Sequence, residues 1–104
     1  MLSTHLGTTD REIEGFCRRW KIQRMSLFGS VLRPDFAPTS DVDVLVALRD
    51  DAALSLWDWI EMKDELRALF QRDVDLVEES GLRNPFRRHA IMRTRQVIYA
   101  ESAN

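Results

Sequence analysis

Phe28-Gly29-Ser30-Val31-Leu32-Arg33-Pro34-Asp35-Phe36-Ala37-Pro38-Thr39-Ser40-Asp41-Val42-Asp43-Val44-Leu45-Val46 is the stretch on which the reading of this chain turns. It opens with a Gly-Ser turn, whose backbone N–H groups can face a phosphate. Ten residues later Asp41-x-Asp43 leads into an apolar, valine-rich run. Carboxylates at i and i+2 of a strand project from the same face. A phosphate cradle followed by a carboxylate pair supplies what phosphoryl or nucleotidyl transfer requires. Aspartate is disfavoured inside strands, so two of them opening this one need a reason. The plain alternative is that Asp41 ends the loop and Asp43 points to solvent.

A third carboxylate tips that balance. Asp75 lies in Val74-Asp75-Leu76-Val77, a second apolar run broken by an acid. If the two runs are neighbouring strands, Asp41, Asp43 and Asp75 can converge, and their mutual repulsion then calls for cations. Hard oxygen ligands with open positions suit Mg²⁺ or Mn²⁺, and two such ions can clamp an in-line displacement at phosphorus. Asp73 is the rival to Asp75. Asp75 is preferred because it sits deeper in the apolar run.

Around this stretch the chain reads as a small α/β protein. Thr9-x-x-Glu12 is a capping box that starts a helix near Asp10, and Ile13, Phe16, Cys17 and Trp20 follow on one face. Met25 to Phe28 reads as a strand, and residues 31–40, with Pro34 and Pro38, as a loop. Val42 to Val46 is the strongest strand, apolar on both faces and hence central. Leu54 to Phe70 is the longest helix, with Leu56, Trp59, Ile60, Met62, Leu66, Leu69 and Phe70 on one side. Trp57 falls off that stripe, and is either covered by a loop or open to a partner. Val74 to Val77 is a third strand. Ser80 or Asn84 caps a last helix that carries Pro85 early, and Val97 to Tyr99 is a short apolar segment of open type. The expected order is α-β-loop-β-α-β-α, a mixed sheet with flanking helices.

The 104 residues make one small domain, 1–104, with a net charge of −2 that provides no overall basic field for nucleic acid. The charge is unevenly distributed: residues 1–79 hold 10 Lys/Arg and 16 Asp/Glu, whereas residues 80–104 hold five Arg and one Glu. Arg83, Arg87, Arg88, Arg93 and Arg95 thus form a basic C-terminal quarter, either a solvated helix face or a docking surface. Cys17 is the single cysteine and falls on a core face, which argues against a nucleophile and fits a reducing compartment. His5 and His89 show no ligand partners in the sequence. No signal pattern or membrane-length apolar run is present, so the expected location is the cytoplasm.

The spaced elements Gly29-Ser30, x10, Asp41-x-Asp43 and Asp75 resemble the signature of the DNA polymerase β nucleotidyltransferase superfamily. The small size is similar to its minimal nucleotidyltransferase branch, the antitoxin half of HEPN/MNT toxin–antitoxin pairs. The resemblance spans roughly residues 22–99. It implies a polymerase β-like palm in which Asp41 and Asp43 hold two metal ions and Asp75 the catalytic one. It implies Gly29, Ser30 and Arg33 on the nucleotide's triphosphate, with Ser40 beside them as a further nucleotide contact or a turn-capping hydroxyl. Pro34 departs from the glycine typical of relatives and stiffens the loop.

The implied activity is transfer of AMP from ATP, with Mg²⁺, to a tyrosine of a helical HEPN toxin. Two alternatives stand beside it: an antitoxin that neutralises by binding alone, and a subunit that modifies a small molecule such as an antibiotic.

Overall fold

The computed structural model describes residues 8–29 and 41–101. Helix α1 (Asp10–Arg19) begins at the expected capping box: Thr9 Oγ1 accepts from the Glu12 N–H, and the Glu12 carboxylate accepts from the Thr9 N–H, both at 3.2 Å. Strand β1 (Ile22–Phe28) follows, then β2 (Val42–Leu48), helix α2 (Leu56–Phe70), β3 (Val74–Glu78), a 3₁₀ turn (Glu79–Gly81), helix α3 (Pro85–Thr94) and β4 (Gln96–Ala100).

These strands form one sheet in the order β3-β2-β1-β4. Strand β1 is antiparallel to both β2 and β4, while β2 and β3 are parallel, joined through α2 as a βαβ unit. The valine strand is therefore interior, as its two apolar faces require. The segment of open type, Val97–Tyr99, lies in β4, an edge strand on β1. Strand β1 also starts earlier than expected, at Ile22.

The sheet separates two apolar layers. On one face Val42, Val44 and Val46 of β2 and Met25 and Leu27 of β1 pack with Ile13, Phe16 and Cys17 of α1 and Met62, Leu66 and Phe70 of α2. On the other, Phe28 and Leu45 pack with Leu82 and Ile91 under α3. The second layer is thin, and most of α3 stays exposed.

The buried stripe of α2 is narrower than the sequence suggests. Leu56 is 72% exposed and Ile60 43%, so neither lies on the core face. The actual stripe centres on Met62, Leu66 and Phe70, with Trp59 and Leu69 at its margins, and Leu54, ahead of the helix, packs in instead. Helix α2 starts after Ser55, whose side chain and Asp58 form a second reciprocal cap at 3.1 and 3.0 Å. Trp57, 77% exposed, lies on the outer side of α2 with Leu56 and Ile60. Among the described residues no helix is long and apolar enough to cross a membrane.

Candidate active site

The parallel β2–β3 register places Val42 opposite Val74, Asp43 opposite Asp75 and Val44 opposite Leu76. Facing residues of paired strands share a face of the sheet, so Asp43 and Asp75 project together. Their face is that of Leu45, two residues on from Asp43, and hence the α3 side. Opposite the Val42–Val44–Val46 layer, these carboxylates avoid the larger apolar core. Asp43 is half-buried, whereas Asp41, just before β2, and Asp75 are exposed.

Antiparallel pairing supplies the third component, since Phe28 at the end of β1 stands opposite Asp43. The next residue, Gly29, thus turns directly over that carboxylate. It has φ +75, in the left-handed region that side chains disfavour. A Cβ built on Gly29 would lie 3.2 Å from the Asp43 carboxyl carbon and closer still to Oδ2. Only glycine leaves this space, so both the backbone angle and the proximity of Asp43 require it.

Asp73 takes a different role. It precedes β3, accepts the Val42 N–H on its carbonyl at 2.9 Å, and its carboxylate pairs with Arg67 of α2 at 3.0 Å. These contacts occupy it in holding β2, β3 and α2 together.

Among the described residues no group of three or more His, Cys, Asp or Glu side chains is close enough to hold a metal ion by itself. The donors nonetheless suit one kind of ion. Mg²⁺ is ordinarily bound by one or two carboxylates together with substrate phosphates and water, rather than by an all-protein cage. A carboxylate pair beside a glycine turn fits that mode. Ser30, Arg33 and Ser40, with the rest of the 31–40 loop, and His5 at the N-terminus lie outside the described residues.

A second polar cluster, unforeseen from the sequence, lies on the same face of the sheet. Glu79 is 8% exposed. Its carboxylate accepts from Arg24 Nε and Nη2 at 2.9–3.1 Å and from Arg95 Nη1 at 3.0 Å, and its carbonyl accepts from Arg88 Nη1 at 2.8 Å. Bidentate pairing of this kind is geometrically specific. It ties β1, the 3₁₀ turn, α3 and the start of β4 together around one acid. The Glu78-Glu79 pair after an apolar run carried no signal separating this residue from a solvated one.

The arginines of the C-terminal quarter therefore divide in two. Arg88, itself exposed, and half-buried Arg95 bond to Glu79, whereas Arg83, Arg87 and Arg93 are exposed and form no ion pair among the described residues. Burial pushes the Cys17 thiol up to about 12, which keeps it protonated and unsuited to nucleophilic chemistry.

Comparison with known proteins bears on the family and the fold. Residues 10–98 match the model of the nucleotidyltransferase domain family. The protein adenylyltransferase MntA of Thermococcus cleftensis is 33% identical over 81 residues, covering 78% of this chain and 77% of that protein. Among solved structures, a toxin–antitoxin complex with AMP-PNP superposes with a TM-score of 0.71 at 22% identity, over 90% of this chain and 75% of that one. A tri-AMPylated Shewanella oneidensis HEPN toxin in complex with MNT antitoxin gives 0.63 at 22% identity, over 88% and 70%. At these identities the two superpositions speak for the fold. The family match over most of the length and the MntA relative go further: this chain belongs to the nucleotidyltransferase domain family.

Proposed function

We propose that the chain, as one minimal nucleotidyltransferase domain, transfers AMP from ATP to a hydroxyl of a HEPN-class toxin and so acts as its antitoxin. The observation that carries this reading is Asp43 facing Asp75 beneath the Gly29 turn. The MntA relative is named a protein adenylyltransferase, and similar folds occur in complexes of antitoxin and toxin, one of them with the toxin AMPylated.

Asp41 and Asp43 would hold divalent ions, Mg²⁺ or Mn²⁺, and Asp75 would share the catalytic one. Bound there, an ion would offset the charge that develops on the transferring phosphate. The Gly29 turn, with Ser30 and Arg33 beyond it, would cradle the departing pyrophosphate. Asp75 is exposed, and its carboxylate would accept the proton of the attacking hydroxyl. Most of the rate gain then comes from positioning and from fixed charge. An ATP-dependent reaction in a chain whose one cysteine is free and buried suits the cytoplasm.

Calorimetric titration with Mg²⁺ and a non-hydrolysable ATP analogue tests the site. The wild type should bind in a metal-dependent way, and Asp41→Asn/Asp43→Asn should not. Equal binding by the two proteins would overturn the assignment. A chain that binds the analogue, and binds the toxin, yet transfers no AMP would instead neutralise by binding alone.

A further inference from the structure

We infer that the outward face of α3, with exposed Phe86 and with Arg83, Arg87 and Arg93 on and just before the helix, docks the acceptor protein through an acidic surface containing an apolar socket. The inference rests on the adenylyl-transfer reading and identifies the partner surface for it.

Position selects this face. The sheet carries α1 and α2 on one side and α3 on the other, and Asp43 and Asp75 project on the α3 side. An acceptor hydroxyl must approach from that side. Helix α3 also ends at the site: it leads into β4, whose Gln96 pairs with Leu27, two residues before Gly29. The second exposed apolar patch, Leu56, Trp57 and Ile60 on α2, flanks the opposite face and offers no such route.

Charge selects the partner. Residues 82–100 contain no carboxylate. Arg88 and Arg95 are taken up by Glu79, but Arg83, Arg87 and Arg93 are exposed and form no ion pair among the described residues. Phe86, His89 and Arg93 recur at i, i+3 and i+7, on the side of α3 away from buried Ile91. Phe86 is 84% exposed, the highest value among the large exposed apolar side chains of the described residues. Phe86 and Arg93 share this side, and Arg83 and Arg87 flank Phe86 in sequence, a combination of aromatic residue and Arg of the kind enriched at interface centres. Glu79 holds this helix against the sheet, so the face is presented on a fixed support.

The test measures binding of the HEPN-domain protein of the same genome by calorimetry at low and high salt. Phe86→Ala should weaken the complex by about tenfold or more at both salt concentrations, as loss of a buried anchor does. Arg87→Glu/Arg93→Glu should weaken it by a similar factor at low salt and flatten its salt dependence. All variants should bind the ATP analogue as the wild type does, since none of these residues lies in the proposed nucleotide site. Toxin binding by all variants at wild-type strength would overturn the inference. So would loss of binding to a single-stranded RNA oligonucleotide with toxin binding intact, because the face would then serve nucleic acid. Failure of the wild type itself to bind the toxin would reject the acceptor assignment together with this face, a result distinct from loss in the variants alone.

Discussion

Replacing Gly29 with alanine separates the cost of folding from the cost of function. Two physical effects meet at this residue. Its φ of +75 is left-handed, which costs a residue with a Cβ about 1–2 kcal/mol. The added Cβ would also stand 3.2 Å from the Asp43 carboxyl carbon, with Oδ2 nearer, so the carboxylate must swing aside. The backbone strain alone should lower stability by about 1–2 kcal/mol, and the loss of any contact that Asp43 gives up adds to it. Activity should suffer more, because Asp43 no longer faces Asp75. A displacement of about 1 Å at a catalytic group costs roughly 10²-fold in rate, equal to about 2.7 kcal/mol of transition-state stabilisation.

Denaturant unfolding and AMP transfer measured on the same preparations read the two quantities. A double-mutant cycle then isolates the contact. In an Asp43→Ala background, Gly29→Ala should retain the strain penalty but lose any part due to the carboxylate. Full transfer activity in Gly29→Ala, or a rate loss no larger than the stability loss explains, would refute the placement of Gly29 over a working Asp43.

Three further outcomes follow from the same geometry. Asp75→Asn should lower AMP transfer by roughly 10²-fold or more, whereas Asp73→Asn, which loses a surface pair with Arg67, should change stability by less than about 1 kcal/mol and leave most activity; the reverse order in a single-turnover assay would exchange their roles. Glu79→Ala strands two guanidiniums with 31% and 18% side-chain exposure and should cost about 3 kcal/mol, or a fall in melting temperature on the order of 10 °C; a calorimetric melt within a degree or two of wild type would make the cluster energetically idle. Cys17 has its pKa raised from 9.0 to about 12, so the native state holds its proton where the unfolded chain gives it up. Stability from this group is complete below pH 9 and should fall by up to about 1.4 kcal/mol per pH unit above it; an unchanged slope in Cys17→Ala would show that other groups control the alkaline limb.

The sequence disclosed the central strand and the first helix for clear physical reasons, and it pointed to Asp43 and Asp75, which the strand register sets opposite each other. Thr9 and Glu12 satisfy each other's backbone, a local pattern that needs no tertiary context. A valine run interrupted by aspartates is costly unless the aspartates are used. What it hid depended on packing. The phase of α2 was misread at Leu56 and Ile60 because apolar identity does not tell how far a helix face extends beyond its sheet. Strand β4 could not be assigned because its pairing with β1 joins Leu27 to Gln96, a contact distant in sequence. The Glu79 cluster was invisible for the same reason, since Arg24 and Arg95 reach it from opposite ends of the chain.

That cluster also explains how so small a domain can present a site at all. Among the described residues the α3 side of the sheet has only Phe28, Leu45, Leu82 and Ile91 as its buried apolar layer, too little to anchor a ten-residue helix by burial alone. An apolar helix face deep enough to replace it would need side chains across the surface where Asp43 and Asp75 emerge. Pinning α3 through Arg88 and Arg95 to one buried acid fixes the helix at its flank and leaves Asp75 exposed and Asp43 half-buried. The basic C-terminal quarter is thus two devices in one run of sequence: arginines bonded to Glu79 hold the helix, and the other, exposed arginines give it a charge that an acidic acceptor can meet beside the site.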